Sequence, residues 1–238
     1  MYGDMKLPPR VFHLAEAANW PSIQQHGLLS TSALLDLSGV QGKEGDRLKR
    51  QHRLAHTELP NGVQVRDQKP MLPQALKRCL IGMSPEDWYL SVNSKVFFWL
   101  DPARADRQRN GCAPRPQIVL VVDTQRLLAR YAKNVFLSPI NTGNARRKPA
   151  VRGQSTFVPY AVWLESAWSS EAAGLHTRVR PRRHRPVELT VHEAVPDIMS
   201  MVVHVWRLGA CPSNPSLRGE RGAADARPQV RKNRKRIH

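Results

Sequence analysis

Residues 11–30 read VFHLAEAANWPSIQQHGLLS. The pattern predicts a short strand over 10–14 and a helix over 16–25. Gly27 follows the helix, at a place where a residue that readily adopts positive φ ends the last turn. Residues 28–32 then resume a new segment. The stretch therefore gives the order strand, helix, glycine, and the first side chain of interest, His13, lies near the end of that strand.

Outward from this stretch, the chain alternates between short helices and strands. Helices are predicted at 74–81, 85–90, 124–131 and 158–166, and strands at 63–66, 96–100, 117–122, 135–137, 187–191 and 201–206. Asp123 can cap the helix that follows the aliphatic strand at 117–122. Residues 39–68, the basic stretch after residue 100 and residues 141–155 predict loops. We expect one domain over 1–210 and a basic, disordered tail over 211–238.

The charge of the chain indicates an anionic partner. There are 37 Lys and Arg residues against 19 Asp and Glu residues, a formal net charge of +18. Such a balance favours a polyanion such as DNA or RNA. Much of it lies in two runs, Arg178, Arg180, Arg182, Arg183 and Arg185 in the first and Arg231, Lys232, Arg234, Lys235 and Arg236 in the second. The alternative is that these runs are simply solvated, because charge runs are commonly disordered.

Membrane, export and metal signals are weak in this sequence. No segment reaches the roughly 18 consecutive apolar residues of a membrane-spanning helix, and the N-terminus lacks the apolar stretch of a secretory signal. The three cysteines, Cys79, Cys112 and Cys211, are too far apart for a zinc site or a disulfide framework. The histidines lack the paired spacing of a helix-borne zinc site. We therefore expect a cytoplasmic protein that uses no metal.

The first stretch carries a family resemblance. Its strand ending in His, then a helix, then Gly-Leu, resembles the opening segment of the DarT-type DNA ADP-ribosyltransferase toxins and of the tRNA 2′-phosphotransferases. Both belong to the superfamily that includes the poly-ADP-ribose polymerases. The resemblance implies that His13 hydrogen-bonds the NAD ribose beside the nicotinamide.

Two later stretches extend the resemblance in the same order. KVFFWLD at 95–101 looks like the central strand of the polymerase branch, where an aromatic residue lines the nicotinamide pocket. Residues alternate faces along a strand, so one of Phe97 and Phe98 can point into that pocket, and we favour Phe98. VELTVHEAVPDI at 187–198 is similar to the DarT-type segment that carries the catalytic glutamate. That role falls to Glu188, with Glu193 as the alternative.

The reaction explains the residue types. Breaking the bond between ribose and nicotinamide builds positive charge on the sugar, and a fixed carboxylate stabilises that charge. Glu188 would hold the ribose 2′-hydroxyl and could help to deprotonate the incoming nucleophile. The resemblance further implies that polar residues hold the pyrophosphate and adenosine of NAD. By their places in the sequence Ser30, Thr31 and Arg66 are the candidates, and Gln68 could also face the substrate.

The resemblance thus implies an α+β fold in which two small, split β-sheets form an NAD cleft. The expected activity is transfer of ADP-ribose from NAD to a macromolecule, most readily DNA or RNA, in the manner of a toxin that a partner antitoxin neutralises. Three alternatives stay open: a tRNA 2′-phosphotransferase-like enzyme, a non-enzymatic nucleic-acid-binding module, and free NAD hydrolysis.

Overall fold

The structure is a computed structural model that describes residues 6–208, so the predicted tail at 211–238 lies outside the described residues. The strands are β1 (Arg10–Glu16), β2 (Leu28–Leu29), β3 (Thr57–Glu58), β4 (Gln64–Val65), β5 (Leu80–Ile81), β6 (Lys95–Trp99), β7 (Gln117–Asp123), β8 (Val135–Ser138), β9 (Arg152–Gly153), β10 (Val158–Pro159), β11 (Glu188–His192), β12 (Ala194–Val195) and β13 (Val202–Leu208). The helices are α1 (Trp20–His26), α2 (Thr31–Leu37), α3 (Gly42–Arg50), α4 (Pro73–Lys77), α5 (Pro85–Asn93), α6 (Pro102–Cys112), α7 (Thr124–Tyr131), α8 (Tyr160–Ser166) and α9 (Ser169–Leu175).

A seven-stranded antiparallel sheet organises these elements, in the order β10-β8-β11-β6-β1-β7-β13. The aliphatic strand β7 lies between β1 and β13, and six of its seven residues are buried. Helices cover both faces of the sheet. The fold is therefore a mixed one with a large antiparallel sheet, which confirms the predicted α+β class at this level.

Among the neighbouring strands of the sheet, β1 and β6 share the fewest paired residues. β1 pairs with β7 along its whole length, from Arg10 to Glu16, whereas its register with β6 contains one pair, Phe12 with Trp99. The two halves, β10-β8-β11-β6 and β1-β7-β13, are joined at that pair. The two split sheets expected from the sequence are thus one continuous sheet with a single-pair join, because the backbones at Phe12 and Trp99 still meet.

The main core lies on one face of this sheet. Alternate residues of neighbouring strands supply it, including Val11, Phe98, Leu120 and Leu189, all of them fully buried or nearly so. Each such side chain contributes about 1.5–3 kcal/mol through burial. The other face is covered in two places. Phe97 and Phe136 pack against residues of α4 and α5, and Trp99 and Trp206 pack with Ala105 of α6.

Several predicted elements are confirmed, and several are wrong. Helix α7 has the predicted bounds, and the Asp123 side chain caps it by accepting a hydrogen bond from the Arg126 amide. The basic stretch after residue 100 is a helix, α6, instead of a loop. The Asp101 side chain caps α6, Pro102 occupies its first turn, and small residues form its buried face. Helix α3 likewise lies within the predicted loop at 39–68.

The remaining differences concern short elements. Thr31 and Ser32, expected to continue the segment after Gly27, begin helix α2. The helix predicted at 74–81 ends at Lys77, and β5 follows it and pairs in parallel with β9. Helix α9 was not predicted. No helix within residues 6–208 has the length and apolar character needed to cross a membrane.

Candidate functional site

The two stretches that open and close the family resemblance meet in the structure. β2 pairs with β12, and the Ser30 amide donates to the Glu193 carbonyl oxygen at 2.7 Å. Gly27 has φ +74°, and a Cβ atom there would lie 2.3 Å from the Pro196 carbonyl oxygen. Only glycine fits this contact without displacing backbone. The close approach joins the end of the first stretch, residues 27–30, to residues 193–196 beside the main sheet.

His13 lies on β1 next to the single-pair join. Its Nδ1 is 2.8 Å from the Phe97 carbonyl oxygen of β6, and its ring centroid is 5.6 Å from that of Phe98. A carbonyl oxygen can only accept, so in the neutral ring Nδ1 carries the proton and Nε2 is left with its lone pair. The side chain thus crosses from one half of the sheet to the other and presents a hydrogen-bond acceptor.

The charge state of His13 follows from its surroundings. Burial lowers its pKa from 6.5 to about 4, the hydrogen bond to Phe97 opposes that change, and the positive charge of Arg66 adds to it. The ring is therefore neutral at pH 7. A neutral imidazole with a fixed tautomer can orient a ligand hydroxyl by accepting a hydrogen bond from it. A positively charged imidazolium has no lone pair with which to do so.

Glu188 is the first residue of β11 and lies between β8 and β6. Its backbone pairs with Ser138 on one side and with Trp99 on the other, and the residue is 3% exposed. The carboxylate accepts a 2.7 Å hydrogen bond from the Thr142 hydroxyl, and the Thr142 amide lies 3.2 Å from each of its oxygens. These bonds fix the orientation of the carboxylate and leave part of its accepting capacity unused.

Burial dominates the protonation of Glu188. Removal from water raises its pKa from 4.5 to about 7, although the hydrogen bonds from Thr142 and the positive charges of Arg152 and Arg104 act in the opposite direction. A carboxyl group with a pKa near 7 exchanges its proton readily at neutral pH. Strongly perturbed carboxyl groups of this kind are concentrated at functional sites.

Arg152 supports the loop that carries Thr142. The guanidinium is 1% exposed and donates to the carbonyl oxygens of Ala150, Thr142 and Asn144 at 3.0–3.1 Å. It also lies over the Trp88 ring, 5.6 Å from its centroid. The buried guanidinium of Arg152 therefore fixes the loop between β8 and β9, and this loop places Thr142 against Glu188.

Strand β6 connects the two candidate residues. Glu188, Trp99 and Phe12 form one row across three strands. Since neighbouring strands lie about 4.8 Å apart, the Cα atoms of Glu188 and Phe12 are about 10 Å apart. By alternation the Glu188 side chain shares a face with Trp99, whereas His13 reaches Phe98 across the join. Glu188 and His13 thus lie on the two strands that flank β6, and their side chains start from opposite faces of the sheet.

Arg66 lies close enough to His13 to affect its pKa. Its Nε donates to the buried Glu16 carboxylate at 2.6 Å, and Arg115 approaches the other oxygen of Glu16 at 3.4 Å. Among the described residues, the buried Nη2 atom of Arg66 has no hydrogen-bond partner. Arg66 is therefore held by one carboxylate and retains donor capacity near the join.

Other candidate residues have structural contacts of their own. Ser30 is buried and caps α2, its side chain accepting from the Ala33 amide, and Thr31 is the first residue of that helix. Gln68 is buried and its side chain bonds the Arg53 amide and Asn93. These contacts use the polar groups of Ser30 and Gln68 within the protein.

Solvent exposure distinguishes Phe98 from Phe97, and Glu188 from Glu193. Phe98 is fully buried in the main core and contacts His13, whereas Phe97 is partly exposed and packs edge-on against Phe157, 6.4 Å between centroids. Glu193 has φ +60° and a side chain that is 73% exposed. Of the two glutamates, only Glu188 is enclosed and fixed by neighbours.

Sequence reasoning missed Thr142, Arg152 and Arg104. Thr142 and Arg152 lie within the stretch predicted as a polar loop, where nothing local distinguishes a residue that bonds a side chain 46 residues away. Arg104 lies on α6, which was expected to be a loop. The capping pair Asp101 and Pro102 is the signal that could have revealed that helix. Within residues 6–208, no three His, Cys, Asp or Glu side chains converge as metal ligands would.

Comparison with known proteins gives a family and a likeness to a solved structure. No curated protein matches the sequence. The structure of Thermus sp. 2.9 DarT in complex with NAD+ aligns with 83% of this chain and 81% of that chain, at 13% identity and a TM-score of 0.35, which is too low to establish a shared fold. A family model described as a family of unknown function, DUF7002, matches residues 9–202. The chain belongs to this DUF7002 family.

Proposed function

We propose that this protein transfers ADP-ribose from NAD to a macromolecule and releases nicotinamide. The main supporting observation concerns the two strands that flank β6. One carries a neutral histidine, His13, and the other carries a buried glutamate, Glu188, with a pKa near 7, and the sheet is joined by a single backbone pair at β6. The order of the three resembling stretches in the sequence supports the same reaction.

Glu188 has the properties that the chemical step requires. The C1′–N bond of NAD breaks with its electron pair leaving on nicotinamide, and the acceptor forms a new bond to C1′ and gives up a proton. A fixed carboxylate stabilises the cationic sugar, and a carboxyl group with a pKa near 7 can receive the acceptor proton. The hydrogen bonds from Thr142 preorient the group, so little reorganisation is needed during the reaction.

The residues near the join fit NAD as a co-substrate. The lone pair at Nε2 of His13 can accept a hydrogen bond from a ribose hydroxyl. Arg66, which is partly exposed and lies near His13, can donate to a pyrophosphate oxygen. We assign the cofactor-binding role to these two residues first, and Thr31 and Phe97 remain candidates because each is partly accessible.

Nucleic acid is the acceptor class that we favour. A net charge of +18 would repel a basic protein and attract a phosphate backbone. The DarT-type resemblance of the sequence agrees with this choice. On that reading the protein acts as a toxin of a toxin–antitoxin or phage-defence pair, and growth arrest on expression that disappears with Glu188→Ala tests this cellular role.

The deciding experiment uses purified protein, labelled NAD and separate pools of single-stranded DNA, duplex DNA, RNA and protein. We expect label on a nucleic-acid pool, and we expect Glu188→Gln to reduce the rate by at least about 100-fold. Glu193→Gln is the matched control, because its side chain is exposed, and it should retain wild-type activity.

Other outcomes would redirect the assignment. Formation of ADP-ribose cyclic phosphate from a 2′-phosphorylated RNA would identify a tRNA 2′-phosphotransferase-like enzyme. Release of nicotinamide without label on any pool would identify an NAD hydrolase. A folded protein that neither labels a pool nor releases nicotinamide would overturn the proposal in favour of a nucleic-acid-binding module.

A further inference from the structure

A basic segment leads directly into Glu188. Residues 176–186, which we name the strap, read HTRVRPRRHRP and contain five arginines and no Asp or Glu. Basic runs of this kind are often disordered in solution. The strap instead has fixed contacts to the body of the protein, and its arginines Arg178, Arg183 and Arg185 remain exposed.

Two residues attach the strap. The Arg180 guanidinium makes hydrogen bonds of 3.1–3.2 Å to both oxygens of Glu171, a residue of α9 that is 1% exposed. At its other end, the His184 carbonyl accepts from Trp168 Nε1 at 2.8 Å, and His184 Nε2 lies 3.1 Å from the Pro139 carbonyl oxygen. A buried carboxylate and a buried tryptophan thus hold the strap in place.

A second acid-free segment lies beside the strap. Residues 139–151 leave β8 where the strap enters β11, and the Val187 amide donates to the Ser138 carbonyl at 2.8 Å. This loop also lacks Asp and Glu, and it exposes Arg146, Arg147 and Lys148. The same loop carries Thr142, the hydrogen-bond partner of Glu188. Two basic segments therefore border the end of the sheet where Glu188 lies.

The pairing of charges differs elsewhere on the surface. On and near α3, Arg47, Lys49 and Arg50 each have an acidic partner within 4 Å. Within residues 6–208, Arg178, Arg183 and Arg185 have no such partner. Holding like charges together on a rigid support costs free energy unless a counter-charge binds, and exposed arginines suit phosphate oxygens geometrically.

We propose that the strap and residues 139–151 form one docking surface for the phosphate backbone of a nucleic-acid strand, which places that strand beside Glu188. The docking follows from the arrangement of charges alone. The view that the docked strand is the acceptor of ADP-ribose rests on the proposed function.

The test measures binding without NAD. Fluorescence anisotropy of a fluorescein-labelled single-stranded oligodeoxynucleotide, an RNA of the same sequence and the corresponding DNA duplex is followed over a salt series. The full-length variant Arg178→Gln/Arg183→Gln/Arg185→Gln is compared with Lys43→Gln/Arg126→Gln/Lys133→Gln. The control removes the same number of exposed charges away from the strap. Thermal unfolding confirms that both variants fold.

We expect the strap variant to bind the preferred probe at least about tenfold more weakly at 0.1 M salt. The slope of log affinity against log salt should become shallower by about 2 for a single strand, since each phosphate contact contributes about 0.7. The control should change affinity by less than about twofold. Equal weakening in both variants would overturn the docking surface, because net charge alone would then explain binding.

A separate arm distinguishes this inference from the proposed function. Glu188→Ala should bind the oligonucleotides as the wild type does, and it should lose transfer. If the wild type binds through the strap but shows no reaction with NAD, the proposed function fails and the docking surface stands. If the wild type transfers ADP-ribose and the strap variant binds the probes normally, the docking surface fails alone.

Discussion

The hydroxyl of Thr142 donates a 2.7 Å hydrogen bond to the carboxylate of Glu188. The bond connects a loop to the first residue of a central strand. Arg152 holds that loop by donating hydrogen bonds to three of its carbonyl oxygens. The orientation and the proton affinity of Glu188 therefore depend on residues outside its own strand.

Thr142→Val should raise the pKa of Glu188 further above its wild-type value. The variant keeps the hydrogen bonds from the residue 142 amide to the Glu188 carboxylate. It loses the hydrogen bond from the hydroxyl, and that bond stabilises the ionised form of Glu188 in the wild type. Loss of a bond to a charged group should increase the proton affinity about tenfold, or ~1.4 kcal/mol. The measurement is the pH dependence of NAD turnover, whose acid limb should move to higher pH. Thr142→Ser, which restores the hydroxyl, should return the limb to its wild-type place, and an unmoved limb in the valine variant would show that the bond is not made.

The stability of the protein should depend on pH through Glu188. Its folded-state pKa, about 7, lies above the ordinary value of 4.5, so the folded protein binds the proton more tightly than the unfolded chain. The contribution is fully present below pH 4.5 and is lost as pH rises through 7. Relative to Glu188→Gln, the wild type should lose up to about 3 kcal/mol of unfolding free energy between pH 4.5 and 8. Urea unfolding at several pH values measures this, and a wild type that gains stability over that range would contradict it.

His13→Ala should weaken the use of NAD more than it weakens the fold. Removing one acceptor for a ribose hydroxyl should raise the KM for NAD by about tenfold. His192→Ala, on the exposed side of β11, is the matched control and should keep the wild-type KM. Since burial holds the pKa of His13 near 4, the wild-type KM should show no step near pH 6.5. A step there that disappears in His13→Ala would mean that the ring is accessible and charged.

Gly27→Ala should destabilise the protein strongly. The added Cβ would meet the backbone of Val195 and Pro196 at 2.3–2.4 Å, and φ is +74°. Gly82 offers a matched control, since it has φ +69° and nothing within 4 Å of an added Cβ. Gly82→Ala should cost about 1 kcal/mol from backbone strain alone, whereas Gly27→Ala should cost at least about 3 kcal/mol. Urea unfolding compares the two, and equal losses would show that residues 27 and 196 are not in contact.

Local sequence signals predicted the parts of this fold that depend on neighbouring residues. Asp123 before an amphipathic run predicted α7 with its observed bounds, and the aliphatic run predicted β7. Helix α6 was missed because its buried face is narrow and built from Ala103, Ala105 and Asp106, so its many arginines obscured the helical period.

The candidate site was predictable to a smaller extent. His13 and Glu188 were predicted from stretches that the fold places on the two strands flanking β6. Thr142 and Arg152 could not be found in this way. Thr142 contacts a residue 46 positions away in the chain, and Arg152 contacts residues 8–10 positions away. Such contacts leave no periodic pattern in the sequence. The attachment of the strap through Glu171 and Trp168 is likewise a tertiary property.

The single backbone pair between Phe12 and Trp99 has a mechanical meaning. Each half of the sheet has its own backbone ladder, while the main core packs across both halves on one face. At their boundary the hydrogen-bonded connection consists of one backbone pair and the His13 side chain. A molecule inserted there would displace fewer backbone hydrogen bonds than one inserted between any other two neighbouring long strands.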